Sequence, residues 1–376
     1  MIGRILWITD RYPPARGGMA VSCARQVRGL RRRGIAIDVL VFGSPQVFEA
    51  QVEARDGGAD ILIPPETEPA MASNHAWMFA QARHARTRYT HVVGFGASAG
   101  GYHAVTFGAW LGVPSLVLVR GNDLDRDWFW PQRGGMVREA LARATSIGAV
   151  TMEKVRRIRA LYPSQKVEWT PNSVDAARWR PLPRDHARRA EIRSLVGAGE
   201  DTRVIGLFGE LKAKKRIPFW LEAVRDQGLQ DRIRLLAVGT LDAPTAAILD
   251  DPAIAPRSLR IPFCAPDELA GLYAASDFVA IPSLFEGMPN VLLEAMACGV
   301  VPIVSDAGAM REVITDGDTG FIFASEERTA AGEATARALA LNSADLARMS
   351  NRVRDFVAAE FSIDRELDAL CKLTEG

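Results

Sequence analysis

The sequence predicts an α/β protein with two doubly wound domains, each built on a parallel sheet with helices on both faces. Three observations support this prediction. Short apolar runs rich in β-branched residues alternate with amphipathic stretches along the chain, the pattern of parallel strands joined by helices. A polar segment punctuated by prolines interrupts the alternation near the middle. The length of 376 residues exceeds what one ordinary core needs and suits two domains.

The first series of elements, residues 1–168, predicts six strands. An amphipathic stretch at 20–33 follows the first of them, and Gly34 is typical of a helix C-terminal cap. The predicted strands span 4–9, 35–42, 61–63, 91–95, 115–120 and 146–150. In such sheets ligands bind beyond the carboxyl ends of the strands, so the loops that follow these strands are candidate ligand sites.

The second series begins after the polar segment 169–183, which contains Pro171, Pro181 and Pro183 and is predicted to be a linker. The second domain is predicted to cover 184–355. Its strands are expected at 204–208, 233–238, 259–263, 278–282, 301–305 and 320–323. From Ser325 onward the pattern indicates three helices, and the segment 356–376 is a candidate to pack back on the first domain.

Composition and cysteine usage exclude several classes of protein. With 48% hydrophobic and 24% charged residues the chain is typical of a globular protein, and no apolar run reaches the roughly 18 residues that span a bilayer. Residues 1–10 predict a strand and not a signal peptide. The four cysteines lie far apart in the sequence without a CxxC pair. This spacing argues against a set of structural disulfides or a cysteine-bound metal site and favours a cytoplasmic protein.

The most informative motif is the segment 282–299, where a predicted strand ends at Pro282 and a helix begins near Pro289. Backbone N–H groups and the helix dipole at such a start form an anion seat that suits a diphosphate. We assign Glu286 to sugar hydroxyls and Glu294 to a ribose diol, because two carboxylates beside a phosphate seat would otherwise repel it. The seat itself comprises Gly287, Met288, Pro289, Asn290 and Val291.

Two further loops follow predicted strands. After the strand at 204–208, residues 212–216 include four cations in five positions. The repulsion between these like charges falls when an anion binds beside them. Lys212 and Lys215 are the candidates to bind a diphosphate. After the first strand, Gly17 and Gly18 would let the backbone approach a ligand closely, and Arg16 precedes them.

Together these segments resemble the family 4 (group 1) glycosyltransferases over nearly the whole chain. The resemblance implies the GT-B fold, in which two Rossmann-like domains face each other across a cleft. The matching segments are Pro14 with Gly17 and Gly18 (the N-terminal glycine loop), 170–175 (the inter-domain segment), Lys215 (the lysine that binds the diphosphate), Glu286 and Glu294 (the E-x7-E pair), and 301–305 (the strand that follows). The resemblance implies that the backbone at Gly17 and Gly18 approaches the donor phosphate, so both are donor-binding candidates.

The resemblance implies a retaining, metal-independent hexosyltransferase. Its donor would be a UDP- or GDP-linked sugar, which is a substrate, so no cofactor is expected. The donor phosphate would help to deprotonate the acceptor hydroxyl in a front-face displacement. Two alternatives remain open: a nucleotide-sugar epimerase of the same fold, and a module that binds a nucleotide sugar without turnover.

Two residues depart from the pattern of the family. Glu210 stands where the family usually has an arginine, and Lys212 or Lys214 could supply the missing charge. Arg120 stands where the family often has a histidine near the anomeric carbon. An arginine cannot act as a base, so we expect Arg120 to act electrostatically or to bind the acceptor, and we take it with Glu286 as the catalytic candidates.

The acceptor is expected on the first domain. Gly96, Asn122 and Asp123 follow predicted strands there and, with Arg16, are the acceptor candidates. Residues 1–180 carry 24 lysines and arginines against 15 acidic residues, a charge of +9, whereas the remainder carries 22 against 30, a charge of −8. The excess could be compositional, or it could indicate an anionic or lipid-linked acceptor and a peripheral contact with the inner face of the membrane. No nucleic-acid partner is expected.

The two DxD-like segments at Asp123 and Asp316 resemble metal motifs. We predict no catalytic metal, because carboxylates in loops form such motifs by chance and because the enzymes that this chain resembles generally need none.

Overall fold

The computed structural model describes residues 3–66, 68–183, 186–199 and 202–374, apart from the side chains of residues 266 and 267. These residues form two compact units: unit 1 is Met1–Asn172 with Ile363–Gly376, and unit 2 is Ser173–Ser362. Of the segment predicted as a linker, residues 169–172 therefore belong to unit 1 and 173–183 to unit 2. Trp179 packs edge-on against Tyr273, which attaches this segment to the core of unit 2.

Unit 1 contains a parallel-dominated sheet flanked by helices. The described strands are β1 (Arg4–Thr9), β2 (Ala36–Val41), β3 (Gln51–Arg55), β4 (Gly58–Leu62), β5 (Tyr89–Phe95), β6 (Ser115–Val119), β7 (Ser146–Ala149) and β8 (Val167–Trp169). The helices are α1 (Gly18–Arg32), α2 (Pro69–Thr87), α3 (Ala99–Leu111), α4 (Pro131–Arg143) and α5 (Met152–Leu161). The strand order is β3-β4-β2-β1-β5-β6-β7-β8, so the order reverses between β1 and β5, a place where such sheets bind ligands.

Two strands of unit 1 were not predicted. β3 pairs antiparallel with β4 at the sheet edge, and its residues are exposed or half-buried on both faces, so it lacks the apolar alternation that marks a strand. β8 has only three residues and pairs with β7. It lies where the polar composition indicated the start of the linker.

Unit 2 contains a second parallel sheet. Its described strands are β9 (Arg203–Leu211), β10 (Ile233–Leu241), β11 (Ser258–Ile261), β12 (Phe278–Ile281), β13 (Val301–Ser305) and β14 (Phe321–Phe323). The helices are α6 (Ala187–Leu195), α7 (Ile217–Asp226), α8 (Ala243–Asp250), α9 (Pro266–Ala275), α10 (Asn290–Ala297), α11 (Met310–Val313), α12 (Arg328–Leu339) and α13 (Ser343–Glu360). The order β11-β10-β9-β12-β13-β14 reverses between β9 and β12. The two sheets confirm the predicted α/β class.

The last helix, α14 (Ile363–Thr374), belongs to unit 1. Its apolar face is buried in the core formed by β1, β2 and α1 through Leu367, Leu370 and Leu373. Gly29 on α1 allows the close approach, because a Cβ there would lie 2.7 Å from Leu367 Cδ1. None of the helices in the described part of the chain is both long and apolar enough to cross a membrane.

Candidate functional site

The topology of unit 2 brings two of the predicted loops together. β9 and β12 are neighbours at the point where the strand order reverses, and their following loops carry the basic segment and the glutamate motif. The backbone N–H of Leu284 donates to the carbonyl of Lys214 at 2.8 Å. Gly209 lies against the first turn of α10, since a Cβ on it would be 3.9 Å from Val291 Cγ2.

Glu286 and Lys215 form the centre of this site. Lys215 Nζ lies 2.5 Å from Glu286 Oε1, Lys214 Nζ lies 3.6 Å from Oε2, and the Ser283 hydroxyl donates to Oε1 at 3.1 Å. Glu286 is only 9% exposed. Burial by itself would raise its pKa, but the two lysines and the hydrogen bonds outweigh burial and lower the pKa below its ordinary value. The carboxylate is therefore charged at neutral pH.

The backbone around Glu286 is held by the turn that follows β13. The Ser305 hydroxyl donates to the carbonyl of Ser283, and the N–H of Ala309 donates to the carbonyl of Gly287 at 3.0 Å. Gly308 has φ +59°, and a Cβ there would lie 2.1 Å from the Glu286 carbonyl oxygen. Only glycine fits so close an approach in this conformation. Sequence reasoning missed Ser283, Ser305 and Gly308, although Ser283 lies within the motif itself.

The predicted anion seat coincides with the start of α10. The helix begins at Asn290, one residue later than expected, and Pro289 occupies the N-cap position. Among the described residues no side chain caps this end. Met288 is buried and Gly287 lies beside the turn after β13. The positive end of the helix dipole and the two lysines together favour a bound anion.

Glu294 lies within α10, half-buried, about one turn beyond its start. The hydroxyl of Tyr273 donates to its Oε2 at 3.1 Å. Tyr273 comes from α9 and is 1% exposed. No sequence pattern pointed to this tyrosine, because its partner lies 21 residues away on another helix.

The lysines of the basic loop differ in their partners. Lys214 faces Glu286, as described above, whereas Lys212 pairs with Glu210 at 2.6 Å and both of these side chains are largely exposed. Lys214 is therefore the residue that adds charge beside Lys215. Lys212 instead faces the acidic residue that stands in place of the expected arginine.

The candidate residues of unit 1 lie in loops at the carboxyl ends of β1, β5 and β6. Gly17 is the N-cap of α1 with φ +107°, and Gly96 has φ +88°. Met19, in the first turn of α1 after Gly18, approaches both other loops: its side chain lies 3.5 Å from a Cβ built on Gly121 and 3.8 Å from one built on Gly96. The described geometry thus gathers these loops. Arg16 is exposed among them, and an acceptor role for Arg16 and Gly96 stays a prediction.

Asp123 lies in the loop after β6, and its assignment to the acceptor stays a prediction. It is 4% exposed, and its carboxylate accepts hydrogen bonds from the backbone N–H groups of Ala97 at 2.8 Å, Arg120 at 2.9 Å and Gly121 at 3.2 Å. Burial raises its pKa against these hydrogen bonds. The carbonyl of the preceding Asn122 accepts backbone hydrogen bonds from the next turn. Both residues shape the loop.

Arg120 is buried as well, and its expected electrostatic or acceptor-binding role stays a prediction. Its guanidinium donates to the carbonyl of Thr170 at 2.6 Å and to the side chain of Asn172, and lies 3.4 Å from a carboxylate oxygen of Glu366 on α14. Burial lowers its pKa to about 10, with the Glu366 charge opposing the shift, so it remains charged at neutral pH. Arg120 thus links the end of β6 to residues 170–172, where the first chain segment of unit 1 ends, and to α14.

The DxD-like segments have partners within the protein. Asp125 pairs with Lys154 at 2.9 Å and with Arg157 at 2.8 Å, and Asp316 pairs with Arg337. Within the described ranges no three His, Cys, Asp or Glu side chains are grouped as metal ligands.

Two doubly wound units, the second with two lysines beside a helix start at its strand reversal, are the architecture of the GT-B fold. Solved structures share this fold. Sucrose-phosphate synthase from Thermosynechococcus elongatus superposes with a TM-score of 0.78 at 17% identity, covering 100% of this chain and 98% of that one. Anabaena HepE in complex with UDP and glucose gives 0.76 at 15% identity, covering 98% of each chain.

Sequence comparison identifies the family. The profile of Glycosyltransferase Family 4 matches residues 16–178, and that of Glycosyl transferases group 1 matches residues 202–341. The chain belongs to the family 4 (group 1) glycosyltransferases. It is 26% identical to α-maltose-1-phosphate synthase of Mycobacterium tuberculosis, over 90% of this chain and 89% of that protein. It is 31% identical to D-inositol 3-phosphate glycosyltransferase of Gordonia bronchialis, over 51% of this chain and 43% of that protein.

Proposed function

We propose that this glycosyltransferase moves a sugar from a nucleotide diphosphate sugar to an acceptor hydroxyl, with retention of anomeric configuration and without a metal ion. The observation that carries the proposal is the Lys215–Glu286 pair beside the start of α10. It puts fixed positive charge next to a helix N-terminus, where a diphosphate binds, and keeps a charged carboxylate within reach of the sugar.

The roles follow from charge and geometry. Lys215, Lys214 and the start of α10 bind the diphosphate and stabilise the charge that develops on it as the glycosidic bond breaks. Glu294 binds the ribose diol. Glu286 accepts hydrogen bonds from the sugar hydroxyls. Because its pKa is lowered, it is ionised and cannot serve as a general acid. The donor phosphate is the base that takes the acceptor proton.

For the donor, UDP-linked sugars are the first to test and GDP-linked sugars the second. HepE, which shares the fold, has been solved in complex with UDP-glucose.

For the acceptor, we propose a molecule that carries a phosphate. The names of two similar proteins specify maltose-1-phosphate and D-inositol 3-phosphate, and the first 180 residues of this chain carry an excess of positive charge. A lipid-linked phosphate presented by a membrane surface is a second source of the same chemistry.

The test is a transfer assay with UDP-glucose or GDP-mannose and a panel of acceptors that includes glucose 1-phosphate and inositol 3-phosphate. We expect transfer that survives EDTA, with the anomeric configuration of the donor kept in the product by NMR. Glu286→Gln should lower kcat by about 100-fold, the size typical of one lost transition-state contact. An inverted product, or activity that EDTA abolishes and Mn²⁺ restores, would contradict the mechanism. Interconversion of the donor sugar would indicate an epimerase.

A further inference from the structure

Tyr273 is a buried residue whose hydroxyl contacts the carboxylate of Glu294. Its ring is fully buried between Phe208, with centroids 4.3 Å apart, and Trp179, with centroids 5.6 Å apart. Its hydroxyl is a donor to Glu294 Oε2 at 3.1 Å. Burial, together with the charge of Glu294, raises its pKa well above the ordinary value, so the phenol stays protonated and keeps donating.

The packing that holds Tyr273 begins at the end of β9. A Cβ on Gly206 would lie 2.1 Å from Phe208 Cε2, so only a glycine leaves room for the Phe208 ring to lie back along its own strand. Phe208 then packs against Tyr273, and the basic loop begins at Lys212, directly after β9. One packed cluster therefore links the strand before the diphosphate loop to the glutamate of α10.

We propose that Tyr273 is a positioning residue for the donor: its hydroxyl holds the Glu294 carboxylate in the orientation that binds the ribose diol. The inference rests on the proposed function, in which Glu294 takes the ribose. A carboxylate has about four lone-pair sites, so one hydrogen bond from Tyr273 is compatible with a bound diol. A side chain that is already oriented loses less rotamer freedom when the ligand binds.

The test compares a ribonucleotide with its analogue that lacks the diol. Calorimetry is done on wild-type protein and Tyr273→Phe with UDP, with GDP, and with the 2′,3′-dideoxy form of whichever nucleotide binds. The variant should bind the ribonucleotide about 5- to 10-fold more weakly, the effect of one hydrogen bond. It should bind the dideoxy analogue as the wild type does. In the Glu294→Ala background, where the tyrosine hydroxyl has no acceptor at residue 294, the added Tyr273→Phe change should have less than a twofold effect.

Tyr89→Phe is the matched control. Tyr89 is 2% exposed, and its hydroxyl donates to a carboxylate oxygen of Asp38 at 2.9 Å within unit 1. The Tyr89→Phe variant should lose about as much thermal stability as Tyr273→Phe does. Its affinity for the ribonucleotide and for the dideoxy analogue should be unchanged.

The outcomes separate the inference from the proposed function. If Tyr273→Phe weakens the ribonucleotide and the dideoxy analogue equally, or weakens neither, Tyr273 is only a packing residue and the inference is wrong while the donor assignment stands. If the wild type binds neither UDP nor GDP, the proposed donor fails, and the inference fails with it.

Discussion

At the scale of single residues, the chemistry of the site depends on which side chains share a small buried space. Glu286 is ionised because Lys215 and Lys214 outweigh the cost of its burial. Arg120 and Asp123, which also follow a strand end, have their polar atoms engaged by the protein's own backbone and side chains. The partners of each buried side chain therefore determine its charge state, whatever its chemical type.

The lysines of the basic loop provide the first test at this scale. Lys215→Ala should weaken nucleotide diphosphate binding by about 10- to 100-fold, because a hydrogen bond to a charged group contributes about 1.5–3 kcal/mol. Lys212→Ala should have a smaller effect, since Lys212 pairs with Glu210 in an exposed position. Calorimetry with UDP or GDP measures both. Equal losses of affinity in the two variants would show that the loop attracts the diphosphate through its total charge and not through a contact with Lys215.

At the scale of elements, loops and helices are held by contacts between distant parts of the chain. The turn after β13 supports the loop of Glu286, and α14 supplies a buried carboxylate to unit 1. Arg25 donates to both oxygens of Glu366, at 2.9 and 3.0 Å, and Gln26 donates to Oε1 at 2.7 Å. Substitutions in the turn after β13 and in α14 can therefore test whether these elements stabilise the Glu286 loop and unit 1.

Gly308→Ala tests the support of the Glu286 loop. An added Cβ meets the Glu286 carbonyl, so the loop must move, and a displacement near 1 Å can lower kcat/KM by about 100-fold. Gly317→Ala is the matched control, because Gly317 also has a positive φ but has no heavy atom within 4 Å of its Cβ position among the described residues. It should cost only about 1–2 kcal/mol of stability. Equal kcat/KM for the two variants would contradict the proposed support.

Glu366→Gln tests the contribution of α14. Burial would raise the pKa of Glu366, but Arg25 and Arg120 lower it below its ordinary value. A carboxylate with a lowered pKa stabilises the fold above its unfolded pKa of about 4.3, and this contribution is lost as pH falls through the folded pKa. At pH 7 the variant should lose about 3 kcal/mol in the free energy of unfolding, because the buried Arg120 and the partly buried Arg25 lose their anion.

Denaturant titration between pH 3 and 7 measures the free energy of unfolding of wild type and Glu366→Gln. The difference between the two proteins should become smaller as the pH falls from 7 to 3. Asp368→Asn is the matched control on the same helix. Asp368 is exposed and pairs with Arg33, so its loss should cost less than about 1 kcal/mol. A difference between wild type and Glu366→Gln that stays constant with pH would show that the charge of Glu366 is not what stabilises the helix.

At the scale of the whole molecule, charge is divided unevenly along the chain. The first 180 residues carry an excess of lysine and arginine, and the rest an excess of acid. Arg16 is exposed, and the side chain of Arg126 is about half exposed although it pairs with Asp127. If the proposed acceptor carries a phosphate, these residues provide attraction that salt screens, since the Debye length is about 8 Å at physiological ionic strength.

Arg16→Glu with Arg126→Glu should raise the KM for a phosphate-bearing acceptor several-fold and reduce its dependence on salt, while the KM for the donor stays the same. Arg143→Glu is the control, because Arg143 lies at the far end of α4 and pairs with Glu139 on the surface. Steady-state kinetics at 20 and 200 mM salt measure both. Anionic vesicles that bind the wild type but not the double variant would identify a lipid-linked source of the phosphate.

The sequence by itself determined the fold class and indicated which two loops form the centre of the candidate site. Alternating strands and helices require only local patterns. The contact between Lys215 and Glu286 could be anticipated because both follow strands of one parallel sheet, whose carboxyl ends meet at a shared edge.

Only the tertiary structure decided which of the remaining candidates are buried. Arg120 and Glu366 are 246 residues apart, and Tyr273 reaches Glu294 from another helix. β3 exposes both faces and so has no apolar alternation to detect. Such pairings depend on long-range packing that no local pattern records. The physical reason is that burial sets both the partners and the pKa of a charged side chain, and burial is a property of the folded chain.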